Sequence, residues 1–152
     1  MTIQIEKMLD HILFLARRFR ISDSKCIAKI LVLELGILPK YDGYRYIVQA
    51  IVLYLEAPMQ LSIKRLYSAI AALYNGTVEE EQGEQAIRSA IKKAWSKRND
   101  DIWGFYFLCD TQGDMEKPSN GDVISMVACA VDLWKGWCED YRKTANREVG
   151  SL

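Results

Sequence analysis

The sequence predicts an all-α fold: a compact helical domain of about six or seven helices with a helix-turn-helix inside it. Three observations carry this. Apolar residues recur at helical spacing along nearly the whole chain. Capping residues open the apolar segments, and glycine or proline closes them. Within residues 66–98, an Asn75-Gly76 turn divides a short helical segment from a longer one with a basic second half.

Residues 3–20 place Ile5, Met8, Leu9, Ile12, Leu13, Ala16 and Phe19 on one stripe, with Glu6, Lys7, Asp10, Arg17 and Arg18 opposite. Residues 1–20 are expected to form an extra amphipathic helix that docks on the body or on a partner. Ser22 or Asp23 caps a second helix, whose stripe is Ile27, Ile30, Leu31 and Leu35 and whose stop is Gly36. Pro39 and Gly43 bracket a break. A third helix runs from about Tyr44 to Glu56, with Ile47, Ala50, Ile51, Tyr54 and Leu55 at helical spacing. Ser62 caps a fourth, with Leu66, Ile70 and Leu73 inward.

Thr77 followed by Glu80 has the capping-box spacing and opens a fifth helix, which buries Ile87, Ala90, Ile91, Ala94 and Trp95. Asn99-Asp100 ends it. The aromatic stretch 101–108 fits a short helix or an extended piece. After a polar loop, a last helix runs from about Asn120 to Tyr141, with Ile124, Val127, Val131, Trp134 and Tyr141 in its stripe. The expected organisation is thus the added helix 1–20, one domain over 21–142 and a frayed tail at 143–152.

Composition narrows the function. With 50% hydrophobic residues the chain can bury a core and is not a disordered one. Twenty basic and twenty acidic residues cancel, so only local charge can speak for a nucleic acid. No apolar run approaches the roughly 20 residues of a membrane span. Cys26, Cys109, Cys129 and Cys138 form no paired motif and are read as small buried hydrophobes in a reducing cytoplasm. His11 is the single histidine, and its polar neighbours suggest exposure. It builds no metal site or catalytic triad, and no glycine-rich phosphate cradle is present. No enzyme, metal or cofactor is expected.

The outward face of the fifth helix carries the strongest functional signal. Gln85, Arg88, Ser89, Lys92, Lys93 and Ser96 project from it, and Lys97 and Arg98 follow at its end. Arginine and glutamine suit bidentate contacts to base edges, and lysine and serine suit phosphates. A solvated helix face would look the same, because the helix dipole favours cations at that end.

Four stretches resemble a known family. They are LELGILPKYDGYRYIVQAI (33–51), LYSAIAALYN (66–75), AIRSAIKKAWSKRN (86–99) and KPSNGDVISMVA (117–128). Together they are similar to the C-terminal DNA-binding effector domain of the sporulation-initiation response regulators. The likeness covers about 22–135. It implies an all-α domain whose helix-turn-helix reads a short operator in duplex DNA, with paired domains on tandem boxes. By match of position, Glu84, Gln85 and Arg88 fall in the base-reading segment, and Lys117 and Asn120 near the DNA-backbone region. No receiver domain, and so no phosphoacceptor aspartate, is expected.

The chain departs from that pattern in one place. The interval from Asn75 to Ala86 is about two residues longer, and carries EEEQGEQ where the family has an arginine-containing segment. Gln85 stands where arginine is expected. Gly83 weakens the start of the helix by roughly 1 kcal/mol against alanine. Glu79, Glu80, Glu81 and Glu84 would oppose a phosphate backbone, so weakened DNA binding or an altered operator is expected. The competing expectation is a protein-interaction module that kept the fold and lost DNA reading. It would dimerise through residues 1–20 or through Trp134, Trp137 and Tyr141, which share one helix face.

Overall fold

A computed structural model describes residues 2–56, 62–74, 79–107 and 116–150. Seven helices order the described residues, and no strand appears among them: α1 (Thr2–Phe19), α2 (Ser24–Glu34), α3 (Asp42–Glu56), α4 (Ile63–Leu73), α5 (Glu80–Ser96), α6 (Asp100–Tyr106) and α7 (Asn120–Gly150).

Local chemistry sets the boundaries. Asp23 caps α2, its Oδ2 accepting from the Cys26 amide at 2.9 Å. Gly36, at φ 86°, ends α2 in a Schellman turn. Its amide donates to Leu33 O (2.9 Å) and that of Ile37 to Val32 O (3.3 Å). Ser62 caps α4 through the Arg65 amide. Asn99 opens α6 rather than merely ending α5, since its Oδ1 accepts from the amides of Asp101 and Ile102. The aromatic stretch from 101 is therefore helical as far as Tyr106. Ser119 and Asp122 exchange side chain and amide at 3.1 Å each, fixing the start of α7.

Helix α3 is the hub, packed against α2, α4, α5 and α7. Its Tyr46, Ile47, Val48, Ala50 and Ile51 are buried with Ile87, Ala90 and Ile91 of α5 and Val123, Ile124, Val127 and Val131 of α7. The α3–α5 approach is close at Gly43. A Cβ there would lie 2.3 Å from the Ala86 carbonyl oxygen and 2.7 Å from Ala90 Cβ. Only glycine lets the two backbones meet at this point.

Helix α1 lies on α7 and α6, with Ile12, Leu15 and Ala16 buried. Here the fold corrects the sequence. His11 is not exposed: its side chain keeps 12% of its accessible surface, and Nε2 lies 2.7 Å from Glu34 Oε1. Its ring stacks on Phe105 at 4.1 Å. Polar neighbours in sequence suggested a solvated position, but α6 covers this side of α1. The Tyr106 hydroxyl donates to the same Glu34 oxygen at 2.7 Å, so one carboxylate joins α1, α2 and α6. Burial, and then the nearby Glu34 charge, push the Tyr106 phenol far above its ordinary range, so it remains a donor. Trp103 completes this corner, with Nε1 donating to Leu35 O at 3.1 Å.

Other expectations shift as well. Ile5 and Phe19 are exposed rather than inward. Cys26 and Cys129 are exposed, and Cys138 alone of the described cysteines is buried; Cys109 lies outside the described residues. Helix α7 continues to Gly150, through the stretch expected to fray.

Replacing Gly43 by alanine is expected to destabilise the fold by about 1–3 kcal/mol, the range for overpacking a close contact. Urea unfolding followed by far-ultraviolet circular dichroism reads this directly; an unchanged midpoint would mean that α3 and α5 do not approach this closely.

Candidate nucleic-acid interface

Helices α4 and α5 pack on each other and on α3, the arrangement of a helix-turn-helix with its supporting helix. The Asn75-Gly76 turn and Thr77 lie outside the described residues. The observed capping interaction of α5 sits two residues later than expected. Glu79 is the N-cap, and its amide donates to Gln82 Oε1 at 2.9 Å. The spacing rule found the motif type but chose the wrong register, because a run of acidic residues offers several equivalent starts.

Gly83, Ile87, Ala90, Ile91 and Ala94 form the buried side of α5. At about 100° per residue, the opposite ridge is Glu81, Gln85, Ser89, Lys92 and Ser96. All five are exposed. The remaining polar side chains fall on the two flanks. Lys93 leans towards the start of α3, its ammonium 4.6 Å from the centre of the Tyr41 ring, and Lys40 reaches the same ring at 5.5 Å. Arg88 lies on the other flank, paired with Glu84 one turn earlier.

The acidic start of α5 is less uniform than its sequence. Glu80 Oε1 accepts from Ser68 Oγ of α4 at 2.6 Å, which turns this carboxylate to the α4 side. Glu84 is taken up by Arg88. Glu79 serves as the cap. That leaves Glu81 as the carboxylate on the ridge itself.

Two expected contact residues turn out to be engaged within the protein. Asn120 is half-buried, and its Nδ2 donates to the Tyr67 hydroxyl (2.9 Å) and to Glu84 O (3.2 Å). It thereby pins the start of α7 to both helices of the pair. Burial pushes the Tyr67 phenol above its ordinary value, so the hydroxyl stays protonated at neutral pH. Arg98 folds back over Trp95, 3.8 Å from the ring centre, donates to Trp95 O and pairs with Asp100 at 2.8 Å. Lys97 is exposed at the C-cap, and Lys117 is exposed beside the buried Pro118.

Sequence reasoning missed Lys40, Tyr41 and Tyr67. Lys40 and Tyr41 precede α3 and reach the edge of α5 only through the tertiary packing at Gly43. Tyr67 is buried on α4 beside Leu66 and Ile70, and its hydroxyl meets Asn120.

Among the described residues, no group of three or more His, Cys, Asp or Glu could hold a metal ion. No described helix is long and apolar enough to cross a membrane. The exposed face of α5 is a helix ridge with a cation on each flank, carried on α3, α4 and α7.

The chain matches a known protein family. The family model described as the C terminal of sporulation initiation factor Spo0A covers residues 27–131, which takes in α3, α4, α5, α6, most of α2 and the first part of α7.

Asn120→Ala is expected to lower stability by about 1 kcal/mol or more, because a half-buried carbonyl and a buried tyrosine lose their donor. Thermal unfolding measures this. No loss of stability would return Asn120 to a purely surface role.

Proposed function

This chain belongs to the family of Spo0A C-terminal domains, DNA-binding effector domains of sporulation regulators, and on that premise we propose that it is a sequence-specific DNA-binding regulator of transcription acting in the cytoplasm. The observation that carries the reading is the exposed ridge of α5. Gln85, Ser89 and Lys92 stand free of the core at successive turns, between a lysine flank and an arginine flank. A helix offered in this way fits the major groove, where glutamine and arginine discriminate bases and lysines meet phosphates.

The Glu84–Arg88 pair does not stand in the way. Both side chains are substantially exposed, at 37% and 49%, and exposed i,i+4 pairs are worth only about 0.3–0.5 kcal/mol. A bidentate contact to a base is worth about 1–3 kcal/mol, so DNA can recruit Arg88 from Glu84. The family is one of regulatory domains and not of enzymes, and nothing in the ridge supplies a nucleophile with its base.

Glu81 supports a second reading, a protein-interaction module that has lost DNA reading, because a carboxylate on the ridge repels phosphates. One experiment separates the two: selection of bound duplexes from a random pool by the purified protein, with affinity followed against salt. Enriched sequence and a steep salt dependence are expected. A pool that remains random, with binding indifferent to salt, would leave the interaction module standing.

Variants sharpen the test. Arg88→Ala is expected to relax the preference at one position and to weaken binding by about 1–3 kcal/mol. Lys40→Ala and Lys93→Ala should each reduce the salt slope by about 1 while leaving the preferred sequence unchanged. Glu81→Gln should tighten binding, and more so at low salt, where screening is weakest. Glu80→Gln should do less, since Ser68 holds that carboxylate to the α4 side. Equal effects of the two would show that the ridge does not face the phosphates.

A further inference from the structure

A groove of about 590 Å³ runs between the end of α1 and the far part of α7. Leu13, Ala16, Trp137, Cys138 and Tyr141 make its apolar floor, and Arg17, Arg20 and Arg142 stand at its edges. Every one of these residues lies outside the 27–131 family match. The groove thus lies wholly outside the matched region.

Its electrostatics are one-sided. The lining holds three guanidinium groups and no carboxylate; Asp10, Glu139 and Asp140, on the same two helices, do not line it. Arg20 and Arg142 are also held in place. Arg20 ends α1 at φ 47°, a left-handed conformation that a non-glycine residue adopts at some cost. Its guanidinium lies 4.6 Å from the centre of the Tyr141 ring, and its Nε donates to Arg17 O. Arg142 donates to Ser22 Oγ. The cationic edges are therefore partly preorganised, which lowers the ordering cost of binding.

We infer that this groove docks an acidic amphipathic helix of a partner protein, its apolar side chains on Trp137 and Tyr141 and its carboxylates on Arg17, Arg20 and Arg142. Four observations favour this occupant. The cations are arginines, whose planar forks match carboxylates two bonds at a time. The apolar floor, laid between two helices, suits anchors spaced by a helical turn. The acidic side chains elsewhere on the same two helices, Asp10, Glu139 and Asp140, disfavour a broad anionic membrane surface. The acidic run 79–84 of a second copy carries no large apolar side chain to fill the floor. Trp137 lies roughly 25 Å along α7 from Asn120, at 1.5 Å per residue. A helix in the groove and DNA on α5 can therefore be bound together.

The test is a selection of short helical peptides from a random displayed library on the full chain, repeated on the Arg17→Glu, Arg142→Glu double variant. Peptides with an aromatic or leucine anchor flanked by Asp or Glu are expected on the unmodified chain only. Their affinity, read by fluorescence anisotropy, should fall by about tenfold or more in the variant. DNA binding should be unchanged, which keeps this result separate from the reading of α5. If the double variant does not fold by circular dichroism, the exposed Arg17→Glu alone replaces it. Enrichment of neutral or basic peptides, equal binding to the variant, or no enrichment would overturn the proposal. So would arginine-dependent binding of anionic phospholipid vesicles in place of peptides, or sedimentation showing self-association through these same arginines.

Discussion

The approach of α3 to α5 at Gly43 is the contact on which the rest of the structure depends. With a side chain at this position, the Ala86 carbonyl and Ala90 Cβ could not lie where they do. Helix α3 touches α2, α4, α5 and α7, so a shift here would move the whole supporting layer under the ridge. It would also part Tyr41 from Lys93, since both lie beside this crossing. A missing methyl group thus sets the orientation of α5 and the position of one cationic flank.

A second constraint acts where α1, α2 and α6 meet. Glu34 accepts from His11 and Tyr106, and Trp103 donates to the end of α2. These bonds satisfy polar groups that the packing of α1 and α6 would otherwise leave covered and unpaired, which would cost more than the bonds contribute. They hold α1 against α6 while its apolar stripe lies on α7. The arginine-edged groove is a consequence of that placement, because α1 and the far part of α7 face each other only when α1 is seated this way. The α5 ridge and the groove are therefore carried by different helices of one scaffold.

The electrostatics of the α5 start show why counting charges misleads. Four glutamates in a short run looked like a barrier to a polyanion. The fold gives three of them separate tasks: Glu79 caps, Glu80 meets Ser68, and Glu84 meets Arg88. Acidic residues at a helix start are favoured by the dipole whatever the helix later binds. Only Glu81 stays on the ridge itself, so the conflict is sharpest at that residue.

Much was legible in the sequence. Helical periodicity, the caps at Asp23 and Ser62 and the stop at Gly36 act over a few residues, and local physics decides them. The order of the helices, the two partners of the helix-turn-helix and the outward positions of Gln85, Arg88, Ser89 and Lys92 follow from the same periodicity, and the family likeness follows from strings of residues. Other features were decided only by tertiary structure. His11 is covered because α6 lies across it. Asn120 is spent on Tyr67 and Glu84 because α7 begins beside the α4–α5 pair. Lys40 and Tyr41 join the edge of α5 because glycine lets two backbones meet. In each case the partner lies far away in the chain, and a side chain's fate depends on what packs against it rather than on its neighbours in sequence.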